Sequence, residues 1–81
     1  MSEEKIVLTV GDVYLIEAYG NMFEAYLEKD TKTANKFRIQ QTDGNWIINW
    51  ISKERFDDNF QVLEYLCSLN EPPLLESENN Y

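Results

Sequence analysis

Trp46-Ile47-Ile48-Asn49-Trp50-Ile51, launched by Asp43-Gly44 and closed by Ser52, is the stretch whose reading decides the fold. At a period of two it sends Trp46, Ile48 and Trp50 to one side and Ile47, Asn49 and Ile51 to the other, which predicts a strand apolar on both faces. In 81 residues the two indoles are the largest single contributions any core can draw on, at up to about 250 Å² of buried surface each.

Working back from that strand, Thr42-Asp43-Gly44-Asn45 contains the Asp-Gly pair favoured in type I′ turns, and Lys36 to Gln41 sets Phe37 and Ile39 against Lys36, Arg38 and Gln40. The two segments read as a hairpin. Asp30 to Asn35 is a polar loop rich in Lys and Thr, and Met22 to Lys29 alternates as a strand, although Glu24 and Glu28, four apart, also suit a helix. Gly20-Asn21 and Gly11-Asp12 read as two-residue loops joining Met22 to Lys29, Val13 to Tyr19 and the β-rich run Ile6 to Val10.

Downstream, Ser52 is a candidate helix N-cap, with Arg55 where a capping box would have Glu. From Lys53 the apolar residues Phe56, Phe60, Leu63 and Cys67 fall in steps of four, three and four, one face of a helix, and Val62, Tyr65 and Leu69 add a second stripe. Asn70 and Pro72-Pro73 stop it. The expected fold is therefore α+β: a twisted antiparallel meander of four to five strands with one C-terminal helix packed on one face. Residues 1–70 form the single domain. Residues 71–81 form an acidic, flexible tail unless Leu74, Leu75 or Tyr81 docks.

Because register fixes face, literal two-residue loops put Tyr14, Ile16 and Ala18 with Phe23, Ala25 and Leu27, and Phe37 and Ile39 with Trp46, Ile48 and Trp50, beneath the helix. The other face carries Ile6, Leu8, Val10, Val13, Leu15, Tyr19, Met22, Tyr26, Ile47 and Ile51, interrupted by Glu17, Glu24 and Glu28. That surface is too apolar to leave in water, so it is either curled into a partial barrel or covered by another chain. The same register sets Glu17 opposite Glu24, an unfavourable pair that a bulge would relieve.

Apolar residues at 43% and aromatics at 14% are ample for one core in a chain of this size. Fifteen acidic against seven basic residues give a formal charge of −8, which argues against direct contact with nucleic acid or an anionic membrane and favours a basic protein partner. The lone Cys67 excludes an internal disulfide and a Cys-based zinc site, and on a helix face it reads as core. The Met-Ser-Glu-Glu-Lys start has no basic n-region followed by an apolar run, and no stretch of about 18 apolar residues exists, so a cytoplasmic location is expected.

The chain has no histidine, which removes the commonest general acid-base group and every Ser-His or Cys-His pair. Glu54, Asp57, Asp58 and Glu64 lack the spacing of a calcium loop and read as a solvated helix face, and Glu17, Glu24 and Glu28 have no pocket for a sugar. Gly11, Gly20 and Gly44 belong to turns rather than a phosphate loop. Tyrosines and tryptophans could stack bases, but the one basic cluster, Lys29, Lys32, Lys36 and Arg38, is a solvated hairpin. No enzyme, cofactor or metal is expected.

The expected function is binding without catalysis. An acidic inhibitor would cap the basic surface of a nucleic-acid-handling protein, as immunity proteins, antitoxins and phage anti-defence proteins do, presenting carboxylates where phosphates would sit. Its contacts would come from Glu54, Asp57, Asp58 and Glu64 on the helix or Glu17, Glu24 and Glu28 on the sheet, with Tyr19, Tyr26 and Tyr65 as apolar contacts. The alternative is a structural homodimer or accessory subunit whose apolar face is buried against its own copy.

Overall fold

The computed structural model describes residues 6–75. Alternating apolar residues between tight turns build β1 (Asp12–Ala18), β2 (Asn21–Asp30), β3 (Ala34–Gln40) and β4 (Trp46–Ser52), followed by α1 (Lys53–Asn59) and β5 (Phe60–Ser68). The five strands form one antiparallel sheet in the order β4-β3-β2-β1-β5, so the expected α+β architecture with a single helix is present.

The helix is shorter than its apolar periodicity predicts. Ser52 caps it, its Oγ accepting from the Arg55 amide at 3.1 Å, but it ends after seven residues. Asp57-Asp58-Asn59 are poor helix formers, and the two carboxylates sit at the end where the macrodipole favours cations. Phe60 then turns extended, at φ −116° and ψ 145°. The rest of the expected helix is β5, paired with β1 at the sheet edge. Its register against β1 shifts twice, between Val13 and Tyr14 and between Leu15 and Ile16, leaving Leu66 and Leu63 as the extra residues of two bulges. Cys67, expected inside a helix, is exposed on this strand.

The fifth strand is thus not Ile6 to Val10. That segment has no strand partner among the described residues: Ile6 and Leu8 pack against the core, and the Tyr14 hydroxyl accepts from the Thr9 amide at 2.8 Å. The core itself is Tyr14, Ile16, Ala25, Leu27, Phe37, Ile51 and Phe56. Phe37, Phe56 and Phe60 stack in a column, with centroids 5.6 and 5.2 Å apart. Burying each large side chain contributes about 1.5–3 kcal/mol.

Turn geometry decides which face each strand presents. Between β1 and β2 the loop is Tyr19-Gly20, one residue earlier than expected, with Ala18 opposite Asn21. Both residues have positive φ, 55° and 79°, the signature of a type I′ turn. The shift moves the register by two, so the faces stay as expected, but Glu17 now opposes Met22 and Leu15 opposes Glu24. Between β3 and β4 the loop holds three residues, Thr42-Asp43-Gly44, closed by the Gln41 amide on the Asn45 carbonyl at 2.7 Å, with Gly44 at φ 90°. That odd count slips the register by one and reverses the tryptophan strand. Ile51 faces the core at 2% exposure while Trp50 is 50% exposed, so Trp46, Ile48 and Trp50 lie opposite Gln40, Arg38 and Lys36 on the back of the sheet.

Candidate functional site

The back of the sheet is built in rows fixed by the pairing. Cys67, Val13, Tyr26, Arg38 and Ile48 form one row across all five strands. Val13 and Tyr26 are buried there, at 3% and 7% exposure, and so is Arg38 at 7%. A buried guanidinium needs a counter-charge and acceptors. Glu28 supplies them, accepting from Arg38 Nε at 2.6 Å and from Lys36 Nζ at 3.2 Å. Pro73 accepts from Arg38 Nη1 at 2.7 Å through its carbonyl oxygen, and Leu75 forms a parallel bridge with Trp46. The segment after β5 is therefore strapped across the back of β3 and β4, covering part of the apolar surface that the sequence leaves without a neighbour. Tyr81, the other expected anchor of the tail, lies outside the described residues.

Hydrogen bonding by Arg38, only partly offset by burial and reinforced by Lys36, holds the Glu28 carboxyl below its ordinary range. Glu28, expected to meet a partner, is already committed within the fold. So are Lys36 and Arg38, which are not a solvated basic cluster: Lys36 also lies 5.8 Å over the Trp50 ring.

One row further along, Leu15 is flanked by Glu24 on β2 and Glu64 on β5, and the next position of β1 on the same face is Glu17, between Met22 and Gln61. At strand spacings of about 4.8 Å the two flanking glutamates have backbones about 10 Å apart, with Glu17 one pleat repeat away. Glu24 and Glu64 are exposed and Glu17 half-buried, and none of the three forms a hydrogen bond or ion pair among the described residues. Met22, 66% exposed, and half-buried Leu15 supply apolar surface between them. Glu64 belongs to this group because β5 is a strand, not a helix.

The other expected contacts lie elsewhere. Glu54, Asp57 and Asp58 are exposed on α1. Tyr26 is buried and offers no exposed anchor. Tyr19 is 62% exposed, its ring edge-on to Phe60 at 5.7 Å and its hydroxyl accepting from Arg55 Nε at 3.3 Å. Tyr65 is 48% exposed on the front, edge-on to Tyr14 at 6.0 Å. Among the described residues no three of His, Cys, Asp and Glu come close enough to hold a metal ion, and no helix is long and apolar enough to cross a membrane.

No known protein family, curated protein or solved structure matches this chain. Its own residues carry the functional argument.

Proposed function

We propose that this chain is a non-catalytic acidic binding protein that caps a basic surface of another protein, with Glu17, Glu24 and Glu64 as the charged contacts and Leu15 and Met22 as the apolar ones. The observation that carries this reading is the lack, among the described residues, of any cation paired with those three carboxylates, while on the same sheet Glu28 has two and Asp30 has one. Carboxylates carried on backbones two strand spacings, about 10 Å, apart repel one another mildly at physiological salt, where screening acts over about 8 Å, and attract an array of Lys and Arg more strongly. Such an array is what nucleic-acid-handling proteins present to phosphates, which makes a nuclease or a similar protein the favoured partner.

The test is affinity capture at about 50 mM and about 500 mM salt, with the natural chain and with Glu17, Glu24 and Glu64 all changed to Gln. A basic protein retained only at low salt, and only by the natural chain, supports the reading. Equal retention by both chains overturns it.

A second reading, a structural homodimer, is favoured by the apolar exposure of β5 and its exit: Leu63, Leu66 and Leu69 are each more than a third exposed. Sedimentation equilibrium separates the two, since a monomer at high concentration removes the dimer.

A further inference from the structure

β4 forms one margin of the sheet, and its pairing with β3 runs through all seven residues without a shift. Two backbone bonds fix which way its polar groups point. The Gln41 amide donates to the Asn45 carbonyl at 2.7 Å and the Lys53 amide to the Thr33 carbonyl at 2.9 Å. In an antiparallel ladder with that phase, the odd-numbered residues of β4 bond to β3 and the even-numbered ones direct their N–H and C=O outward. Leu75 bridges Trp46. Among the described residues no strand pairs with the outward groups of Ile48 and Trp50.

A strand in this position is ordinarily guarded by a charge, a proline or a bulge. β4 has none of these, and it is the one strand of the five without a charged residue. Ile47, Ile48 and Trp50 are 36%, 39% and 50% exposed on it. Its sequence is also symmetric in character about Asn49: Ile48 on one side is matched by Trp50 on the other, and Ile47 by Ile51. A two-fold interface has to be self-complementary. This strand, laid antiparallel to its own copy, sets apolar residues against apolar ones and Asn49 against Asn49. Charge points the same way, because two chains of charge −8 repel one another and β4 is the margin at which they approach with no charged side chain on either strand.

We propose that the outer edge of β4 is an interface between two copies of this chain, paired antiparallel about a two-fold axis at Asn49. Ile48 of each copy exchanges both backbone hydrogen bonds with Trp50 of the other, and the two side chains pack as a cross-strand pair on the back of the joined sheet. Ile47 meets Ile51 on the front. The Leu75 bridge at Trp46 ends the paired run. Both β4 edges are then used, so the assembly closes at two copies. Glu17, Glu24 and Glu64 lie on β1, β2 and β5, away from this contact, and the inference stands whether or not they meet a basic protein.

The test is sedimentation equilibrium of the full chain from about 10 μM to about 1 mM, with amide hydrogen exchange followed by NMR at both ends of that range. The expected result is a monomer-dimer equilibrium in which the Ile48 and Trp50 amides gain protection with concentration. Those of Ile47, Asn49 and Ile51, bonded to β3, are protected throughout. Asn49→Lys, a change at an exposed position, places two like charges face to face at the axis and weakens the dimer about fivefold, although it lowers the net charge. Leu66→Lys, on β5, does not weaken it. If Asn49→Lys does not fold, the exchange result with the natural chain decides alone. A monomer at the highest concentration, or a dimer weakened by Leu66→Lys and not by Asn49→Lys, overturns the proposal. So does protection of Ile48 and Trp50 that is the same at every concentration, as for an edge covered by the chain's own terminus.

Discussion

Glu28→Gln is the sharpest probe of the back of the sheet, because it keeps the side chain's shape and removes only its charge. Glu28 accepts from Arg38 Nε at 2.6 Å, from Arg38 Nη2 at 3.5 Å and from Lys36 Nζ at 3.2 Å. Hydrogen bonds to charged groups contribute about 1.5–3 kcal/mol and neutral ones about 0.5–1.5. The Glu28 side chain is 24% exposed and that of Arg38 9%, so screening takes away a modest share and a net loss of about 2 kcal/mol is expected. In a domain of this size that lowers the melting temperature by about 10 °C.

An opposing effect must be separated from this one. Removing any acid from a chain of charge −8 relieves general repulsion. Glu24→Gln, at an unpaired site one strand position from the core, removes the same charge and no ion pair, so it is the control. It should be neutral or slightly stabilising. Urea unfolding of the three proteins across pH supplies the second half of the test. The Glu28 pKa in the folded state lies below its ordinary 4.5, so its stabilisation is complete above about 4.5 and is lost as the pH falls through the lower folded value. The gap between the natural chain and Glu28→Gln should therefore be full at neutral pH and close on acidification. A gap under about 0.5 kcal/mol at pH 7, within the range of ordinary surface substitutions, would refute the ion-pair reasoning. So would a gap that widens as the pH falls from about 6 to about 3.

Four further outcomes are expected. Ile51→Ala should cost about 2–5 kcal/mol and Trp50→Ala under about 1, by urea unfolding, since Ile51 is 2% and Trp50 50% exposed; the reverse order would restore the two-residue register of the β3–β4 turn. Phe56→Ala removes the middle ring of the Phe37-Phe56-Phe60 stack and should cost about 3–5 kcal/mol, enough to leave much of the chain unfolded in thermal melts. Gly44→Ala should lose about 1 kcal/mol by the same assay, because an L side chain at φ 90° is strained although nothing crowds it. Cα chemical shifts from Gln61 to Tyr65 should be those of extended backbone; helical shifts there would overturn the assignment of β5.

The front of the sheet is legible in the sequence because strict alternation in Tyr14, Ile16, Phe23, Ala25, Leu27, Phe37 and Ile39 survives an error of two in register. The tryptophan strand is misread because one extra loop residue inverts it, and Asp43-Gly44 fits both a two-residue loop and the end of a three-residue one. β5 is misread for a subtler reason. Each bulge adds a residue, so Val62 and Tyr65 share the front and Gln61, Glu64 and Cys67 the back. Steps of three resemble a helical period. Glu17 and Glu24 are recognisable as neighbours across a hairpin, but Glu64 joins them only through the long-range pairing of β1 with β5. Arg38 alternates with Phe37 and Ile39 on β3 as a solvent-facing residue would, Asn35 follows a polar loop, and nothing local marks either as buried.

The doubly bulged margin formed by β5 has a bearing on how the protein behaves in concentrated solution. An outermost strand rich in leucine invites a sister molecule to extend the sheet, and growth of that kind needs donors and acceptors evenly spaced along several residues. Here the longest unbroken run, Phe60 to Val62, is three residues. Lateral growth would lose step almost as soon as it began, so oily side chains can stand at this border without templating fibres.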